Sequence, residues 1–355
     1  MPAALQETGE IPMMVGLGKD VGRITKTNTD LDSFLSKPDG LTDRAMRKTG
    51  AGIVERQWVD DAQTVSGLMT EALLEALEDA KLKPTDLKAV FLASSSPDRQ
   101  DGSLAGRVQS KAGLRTDIPI STNADACSGF VIAAHRAIAT MSSPYGFVER
   151  GPVAVVAQEL MSRNLSKKKS DTILFGDGGG AVIFDWRIPK PGQANKIAFS
   201  LGANGGEECE FADAIRVPAG GTEKPASHET IDADEHSLTL DGRIVQEYAE
   251  ETMPLRLQEA LERAGLCMDD ISRFVFHQAN KSIIENAAKS SGIDMGLVEI
   301  TIDRYGNTSA GSIPITLYEA DRAGRLEEGE YFAAAAFGGG FNSGAMVMPN
   351  PVHDY

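Results

Sequence analysis

An internal repeat constrains the fold of this chain more than any other feature of its sequence. Residues 73–92 read LLEALEDAKLKPTDLKAVFL, and residues 257–276 read LQEALERAGLCMDDISRFVF. In each copy, apolar residues at helical spacing are followed by a turn and by an apolar run of the length of a buried strand. Leu, Glu and Ala are common helix formers and could match by chance, but the pattern predicts one helix-to-strand unit used twice.

A second, weaker match occurs in the same order and supports a duplication. Residues 151–184 contain GPVAVVAQELMSR and FGDGGGAVIF, and residues 329–348 read GEYFAAAAFGGGFNSGAMVM. Both segments are typical of a strand, a glycine-rich turn and another strand. A chain of 355 residues with 41% hydrophobic residues can bury the core that two related halves require.

Charge and cysteine content argue against several classes of protein. A net charge of −16 disfavours a general nucleic-acid or anionic-membrane binder, because phosphate neutralisation needs a clustered basic surface. The N-terminal residues MPAALQETGEIP lack the features of a signal peptide, and no apolar stretch approaches the length of a membrane span, so we expect a cytosolic protein. Three cysteines without a CxxC pair predict reduced thiols and no metal site.

Residues 123–135, NADACSGFVIAAH, place Cys127 where a polar stretch turns into an apolar, helix-like run. A lone cysteine on an apolar face is most often an inert core residue. In the first turn of a helix, however, unpaired backbone N–H groups and the helix dipole stabilise a thiolate, so we expect a lowered pKa for this thiol. The same N–H groups could hold an oxyanion.

Two motifs of the second half supply partners for this thiol. FVFHQAN places His277 directly after a strand-like run, and DRYGNTSAGSIP places Asn307 in a turn before a small-residue helix. Taken singly, they are typical of a structural hydrogen-bonding residue and of a turn or cap residue. With Cys127 and the glycine-rich FGGGF at 337–341, they supply a nucleophile and two hydrogen-bond donors for an anionic oxygen.

A polar excursion rich in proline, glycine and acidic residues interrupts the repeat at residues 213–246. An excursion of this kind is predicted to cover or shape a site. Its two histidines, His228 and His236, lack the spacing of metal ligands, so a solvated loop is the preferred interpretation.

In these motifs and their order, the chain resembles the ketoacyl-ACP synthase III family, condensing enzymes of the thiolase superfamily. The motifs that carry the resemblance are RKTGAGIVER (47–56), ACSGF (126–130), FGDGGGAV (175–182), FHQAN (276–280), GNTSAGSIP (306–314) and AFGGGF (336–341). The resemblance implies an α/β thiolase fold, a duplicated five-layer α-β-α-β-α arrangement that is usually a homodimer. Its thiolase-like halves would span residues 1–188, with the cysteine, and residues 189–355, with the histidine and asparagine.

The resemblance also implies a role for each site residue. Cys127, His277 and Asn307 would be the catalytic triad, the backbone N–H groups of Cys127 and Gly339 would form the oxyanion hole, and Asn280 would orient the pantetheine arm. The implied reaction transfers an acyl group to Cys127, decarboxylates a malonyl thioester and joins the two into a β-ketoacyl thioester. Its substrates would be acyl carrier protein or coenzyme A thioesters, without a cofactor.

Four further residues are expected to contact the substrate at positions where the sequence departs from the family pattern. Lys48 stands at an arginine position of the adenine-binding stretch, and Lys281 follows HQAN near another. Lys169, in the run SKKKSD, falls at a third basic position, although such a run is equally typical of a solvated loop. Asp101 falls near the pocket floor, which the family often closes with an aromatic residue of the partner subunit. A polar floor predicts a functionalised or dicarboxylic acyl group and a specialised pathway.

Two other functions fit the same residues. An acyltransferase of this fold could pass the acyl group from Cys127 to an alcohol or amine, and only condensation would release carbon dioxide. A non-catalytic partner subunit would normally have lost the nucleophile, whereas Cys127 is present. A thiolase would carry a second cysteine in the loop that here reads GGGFNSG.

Overall fold

The computed structural model describes residues 9–35, 46, 50–145, 148–168, 171–191, 196–207 and 209–352. Within these ranges the strands are β1 (Ile11–Val21), β2 (Ile24–Thr27), β3 (Glu55–Trp58), β4 (Ala89–Ala93), β5 (Ile120–Asn123), β6 (Val153–Leu160), β7 (Asp177–Arg187), β8 (Ala198–Ala203), β9 (Ile215–Arg216), β10 (Thr239–Leu240), β11 (Ile271–Phe276), β12 (Tyr331–Phe337) and β13 (Asn342–Pro349). The α-helices are α1 (Asn28–Phe34), α2 (Val65–Asp79), α3 (Ser103–Ala112), α4 (Gly129–Met141), α5 (His228–Asp232), α6 (Gly242–Ala264), α7 (Lys281–Ser290), α8 (Ile302–Tyr305) and α9 (Ser312–Arg322).

Two sheets repeat one pairing pattern. The first has the order β1-β7-β6-β4-β5, and the second has the order β8-β13-β12-β11. The β4–β6 and β11–β12 pairs are parallel, whereas β6–β7, β12–β13, β1–β7 and β8–β13 are antiparallel. Both predicted helix-to-strand units are present, as α2 to β4 and as α6 to β11. The duplication inferred from the sequence is therefore confirmed.

The glycines of the first half differ from the prediction, because they lie inside a strand rather than in a turn. Gly178–Gly180 are the second to fourth residues of β7. A Cβ atom on Gly180 would lie 3.1 Å from the Cβ of Pro314 in α9. Glycine in β7 therefore allows a helix to pack directly on the strand.

Five layers are stacked around apolar cores in the described part of the chain. α2 and α3 cover the outer face of the first sheet, where Leu73 is buried. α4 and α9 lie between the sheets and bury Phe130 and Ile313. α6 and α7 cover the outer face of the second sheet with Leu257 and Ile284. This is the α-β-α-β-α arrangement that the resemblance predicts, and the predicted boundary between the halves falls between β7 and β8.

Part of the excursion at 213–246 is folded against the rest of the chain, whereas most residues from 221 to 234 are exposed, as the solvated-loop interpretation predicts. β9 pairs antiparallel with β10, and Asp241 caps α6 by accepting hydrogen bonds from the N–H groups of Arg243 and Ile244. His236 Nε2 lies 2.9 Å from Thr230 Oγ1. Leu238 is buried in an apolar cluster, and Ile215 and Leu240 pack against that cluster, which the polar composition did not indicate. Across the described ranges, we find no helix long and apolar enough to cross a membrane.

Candidate active site

Cys127 lies in a strained turn between β5 and α4. Residues Ala126–Ser128 form a 3-10 turn directly before α4, and Ala126 has a φ of 45°, in the left-handed region. A Cβ atom on Gly129 would lie 3.2 Å from the Cβ of Ala93. The strained turn and the close approach of the helix to the first sheet fix the thiol at the start of α4.

The glycine-rich loop after β12 approaches this turn closely. A Cβ atom on Gly338 would lie 2.7 Å from the backbone nitrogen of Cys127 and 3.0 Å from that of Ser128. The backbone N–H groups of Cys127 and Gly339 both donate toward the thiol sulfur. The two donors predicted for an oxyanion hole are therefore brought together at the nucleophile.

His277 follows β11, and its imidazole is almost completely buried. Its Nδ1 lies 2.7 Å from Ser312 Oγ, and that oxygen also accepts the backbone N–H of Gln278 at 3.3 Å. Donation by the Ser312 hydroxyl to Nδ1 corresponds to the tautomer that carries the imidazole proton on Nε2. Among the described residues, Nε2 has no hydrogen-bond partner, and burial lowers the pKa of His277 to about 3. His277 is thus a buried, neutral imidazole.

Asn307 is held by the loop that precedes β7. Its backbone N–H donates to the carbonyl of Leu174 at 2.9 Å, and its carbonyl accepts the N–H of Gly176 at 3.0 Å. The side-chain Oδ1 accepts the backbone N–H of Ser309 at 2.8 Å. Because the oxygen is used in this way, the amide NH₂ is the end of the side chain that can donate to a ligand.

One cavity of about 1290 Å³ brings the predicted triad together. It is lined by Cys127, His277, Asn307, Gly339 and Asn280. Apolar side chains from the excursion complete its wall, namely Ile215, Val217, Leu238 and Leu240. The excursion therefore shapes the site, as the sequence predicts.

The predicted substrate contacts are only partly assembled around this cavity. Asn280 lines it and also caps α7, where its Oδ1 accepts the N–H of Ser282 at 2.9 Å. Lys281 does not line it, and its Nζ lies 3.7 Å from Glu285 Oε1. Lys48 and Lys169 lie outside the described residues.

Asp101 lies on the surface of this chain and does not line its cavity. Its Oδ1 accepts the backbone N–H of Ser103 at 2.9 Å, at the start of α3. Since the family places the floor residue in the cavity of a second subunit, its role at the pocket floor stays a prediction.

The predicted lowering of the Cys127 pKa is wrong. Burial raises the pKa of this thiol to about 12, and the charge of Glu159 raises it as well. The Ser309 hydroxyl and the N–H groups of Cys127 and Gly339 lower it, but burial outweighs them. The sequence showed the helix terminus but not the surroundings that remove water from the thiol.

We expect small alkylating agents to react with the other two thiols before Cys127. All three cysteines are free, and Cys209 and Cys267 are exposed. At pH 7, iodoacetamide should label the exposed thiols at least about tenfold faster, because each unit of raised pKa lowers the thiolate fraction about tenfold. Peptide mass spectrometry over a time course measures this, and fastest labelling of Cys127 would contradict the raised pKa.

Three residues that contact the site were missed at the level of sequence, namely Glu159, Ser309 and Ser312. Glu159 carried a usable signal, because it is an acid at the end of the apolar strand VAVVAQEL. A carboxylate in a buried strand must find hydrogen-bond donors, and those donors identify a polar cluster. The two serines lie within the small-residue motif GNTSAGSIP, where nothing distinguishes them from packing residues.

Comparison with known proteins covers both halves of the chain. The family model described as 3-oxoacyl-[acyl-carrier-protein] synthase III matches residues 122–205, and the model of its C-terminal part matches residues 261–349. A β-ketoacyl-[acyl-carrier-protein] synthase III of Caldanaerobacter subterraneus subsp. tengcongensis is 35% identical over 339 residues, which cover 94% of this chain and 96% of the relative. One of Clostridioides difficile is 36% identical over 305 residues, covering 84% and 88%. The crystal structure of 3-oxoacyl-[acyl-carrier-protein] synthase III from Aquifex aeolicus has a TM-score of 0.80 at 28% identity, covering 95% of this chain and 99% of that one.

Proposed function

Since this chain belongs to the β-ketoacyl-[acyl-carrier-protein] synthase III family and has its duplicated thiolase fold, we propose that it condenses an acyl group bound to Cys127 with a malonyl thioester, releasing carbon dioxide. One observation carries the proposal. A single cavity holds a thiol beside two backbone donors together with a buried, neutral imidazole whose Nε2 faces no hydrogen-bond partner in the described chain.

In the first half-reaction, Cys127 attacks the carbonyl carbon of an acyl thioester. Negative charge develops on the carbonyl oxygen, and the N–H groups of Cys127 and Gly339 are arranged to receive it. Loss of one such donor typically lowers a rate on the order of 10²–10³-fold. The carrier thiol leaves, and the acyl group stays on Cys127.

In the second half-reaction, a malonyl thioester loses carbon dioxide and leaves an enolate. Nε2–H of His277 and the amide NH₂ of Asn307 are the donors proposed for the enolate oxygen. Because His277 is neutral and buried, it stabilises the developing charge without proton exchange with solvent. The enolate carbon then bonds to the acyl carbonyl carbon, and the bond from that carbon to Cys127 Sγ breaks. The β-ketoacyl thioester is released, and Cys127 leaves as a thiolate that takes up a proton.

The substrates proposed are thioesters of acyl carrier protein or coenzyme A, in agreement with the carrier named for the relatives. The reaction as proposed uses the groups of the chain and its substrates, without a cofactor. We also propose a homodimer in which β5, at the edge of the first sheet, is available for contact with a second copy.

The proposal is tested by supplying an acyl thioester together with a malonyl thioester labelled at its free carboxyl group. We expect labelled carbon dioxide and a β-ketoacyl product in equal amounts, measured by gas capture and mass spectrometry. Consumption of the acyl group in the presence of an alcohol or amine, without carbon dioxide release, would instead support the acyltransferase alternative.

We expect Asp101 to favour acyl groups with a polar end. An alkanoyl chain against a carboxylate would remove water from it without replacing its hydrogen bonds, which disfavours binding of that chain. Since 1 kcal/mol changes a specificity ratio about fivefold, the preference should appear in kcat/KM for acyl thioesters of equal length. Asp101→Phe should reverse this preference. Glu262→Phe, the same kind of change at an exposed acid of α6 that does not line the cavity, is the control. An alkanoyl preference that Asp101→Phe leaves unchanged would exclude Asp101 from the pocket.

A further inference from the structure

We propose that Glu159 accepts the proton of the Cys127 thiol through the hydroxyl of Ser309. The inference deepens the proposed function, because it assigns a proton acceptor to the nucleophile of that reaction. The three residues together are called the proton path below.

Two successive hydrogen bonds lead from the thiol of Cys127 to the carboxylate of Glu159. Cys127 Sγ donates to Ser309 Oγ over 3.4 Å, and Ser309 Oγ donates to Glu159 Oε1 over 3.4 Å. A proton that leaves the sulfur therefore has a hydroxyl group to enter and a carboxylate beyond it. His277, the other buried base of the cavity, forms its hydrogen bond with Ser312 instead.

Strained backbone places Ser309 against the nucleophile. Ser309 has a φ of 51° and begins a 3-10 turn before α9, as Ala126, with a φ of 45°, begins the turn before α4. The two turns pack together, since a Cβ atom on Gly129 would lie 3.4 Å from the Cβ of Ala310. Strain of this kind persists where the surrounding structure fixes a side chain in a required position.

Glu159 is held as a buried carboxylate at the other end of the path. It is completely buried, and it accepts the backbone N–H of Ser95 at 3.0 Å and the hydroxyls of Ser94 at 3.3 Å and of Ser96. Burial raises the pKa of Glu159, whereas these donors lower it. A carboxylate kept in position with a raised pKa is suited to accept a proton.

Electrostatics favours a state in which Cys127 and Glu159 together carry one negative charge. The charge of Glu159 raises the pKa of Cys127, so a thiolate beside an ionised Glu159 is disfavoured. Moving the proton from Cys127 to Glu159 leaves the pair with one negative charge throughout. The two groups then titrate as a coupled pair rather than separately.

Other titratable groups at this end of the sheets have their own partners. Those on the neighbouring segments are Asp177, Asp125, Asp98 and His277. Asp177 accepts the N–H groups of Ser162 and Val59, Asp125 accepts from Asn123, Asp98 accepts the N–H of Ser66, and His277 binds Ser312. The acids of α2 bind elsewhere, Glu75 to Lys19 and Tyr318 and Asp79 to Leu17 and Arg322. In the described part of the chain, none of these groups hydrogen-bonds to the proton path.

The acylation step balances through this path. As a bond forms between Cys127 Sγ and the acyl carbon, the thiol proton passes to Ser309 Oγ and the Ser309 proton passes to Glu159. The bond between the acyl carbon and the carrier sulfur then breaks. The departing carrier thiolate takes a proton from Ser309 Oγ, and Glu159 returns its proton to Ser309. This leaves a neutral acyl-enzyme and an ionised Glu159.

The test is the pH profile of Cys127 alkylation by iodoacetamide in a Cys209→Ser, Cys267→Ser background, followed by intact mass between about pH 5 and 9. A thiolate beside a protonated Glu159 carries as many protons as a thiol beside an ionised one. The rate of Cys127 alkylation should therefore be independent of pH over one range. That range begins at the pKa that Glu159 has when Cys127 is a thiol, and it ends at the pKa that Glu159 has when Cys127 is a thiolate. Glu159→Gln should replace this plateau by a rise of about tenfold per pH unit, because the thiol then titrates alone.

Ser309→Ala should keep the plateau but lower its level by about tenfold or more, because the thiolate loses a hydrogen-bond donor, and Ser309→Thr should restore it. Asp177→Asn, which removes a buried carboxylate outside the proton path, is the matched control and should retain the plateau. A tenfold rise per pH unit with Glu159 present, or a plateau that survives Glu159→Gln, would overturn the proposal. If Glu159→Gln does not fold, an unchanged rate in Ser309→Ala would overturn it. Alkylation needs no thioester, so a failure to form an acyl-enzyme would count against the proposed function alone.

Discussion

Cys127→Ala is expected to abolish the acyl-enzyme and to lower the rate of condensation on the order of 10⁴-fold or more. Alanine offers no atom that can bond to the acyl group, so the reaction loses its covalent intermediate while the cavity keeps its other groups. Intact mass spectrometry after incubation with an acyl thioester should show the acyl mass on the original protein and none on the variant.

Cys209→Ala and Cys267→Ala are the matched controls for this result. Both side chains are exposed, and neither lines the cavity. Both variants should gain the acyl mass at the original rate, although the thiols they lack are the ones expected to react more readily with iodoacetamide. An acyl mass retained by Cys127→Ala would assign the nucleophile to another residue. Fast acylation of Cys127, together with its slow alkylation by iodoacetamide, would also show that the groups of the cavity, rather than the intrinsic reactivity of the thiol, determine the rate of acylation.

The fold could be predicted because repeated local patterns survive in the sequence. The helix-to-strand units at 73–92 and 257–276 became α2 with β4 and α6 with β11, in equivalent positions of the two sheets. His277 was identifiable because it follows a strand-like run, and Cys127 because it lies where a polar stretch turns into a helix-like run. Strand ends lie at the edge of a sheet, where polar side chains from distant segments meet.

The electrostatics of the site could not be predicted in this way. The pKa of Cys127 depends on how completely 3-10 turns, a glycine-rich loop and Glu159 surround the thiol, and these come from distant parts of the chain. A local motif contains the favourable effect of the helix terminus but not the unfavourable effect of burial. The excursion was predicted to shape the site, but the residues that do so were not predicted, because its few apolar residues form a wall only against the rest of the fold.

His277→Ala and Asn307→Ala are expected to separate the two half-reactions. Each removes one proposed donor to the enolate oxygen, so each should lower malonyl decarboxylation on the order of 10²–10³-fold. Acylation of Cys127 should continue in both variants, because its donors are the backbone N–H groups of Cys127 and Gly339. Carbon dioxide release from labelled malonyl thioester measures the first effect, and intact mass measures the second.

Ser312→Ala tests whether the orientation of the imidazole contributes. Ser312 Oγ lies 2.7 Å from Nδ1 of His277. Donation by this hydroxyl to Nδ1 would keep the ring proton on Nε2, as the proposed enolate donor requires. Its loss should lower decarboxylation less than His277→Ala does, because the ring remains but can adopt the other tautomer.

Since the pKa of His277 is about 3, decarboxylation by the original protein should show no histidine titration between about pH 5 and 8. Equal loss of both half-reactions in His277→Ala would assign the imidazole to the thiol instead, and unchanged decarboxylation would exclude it from the enolate site.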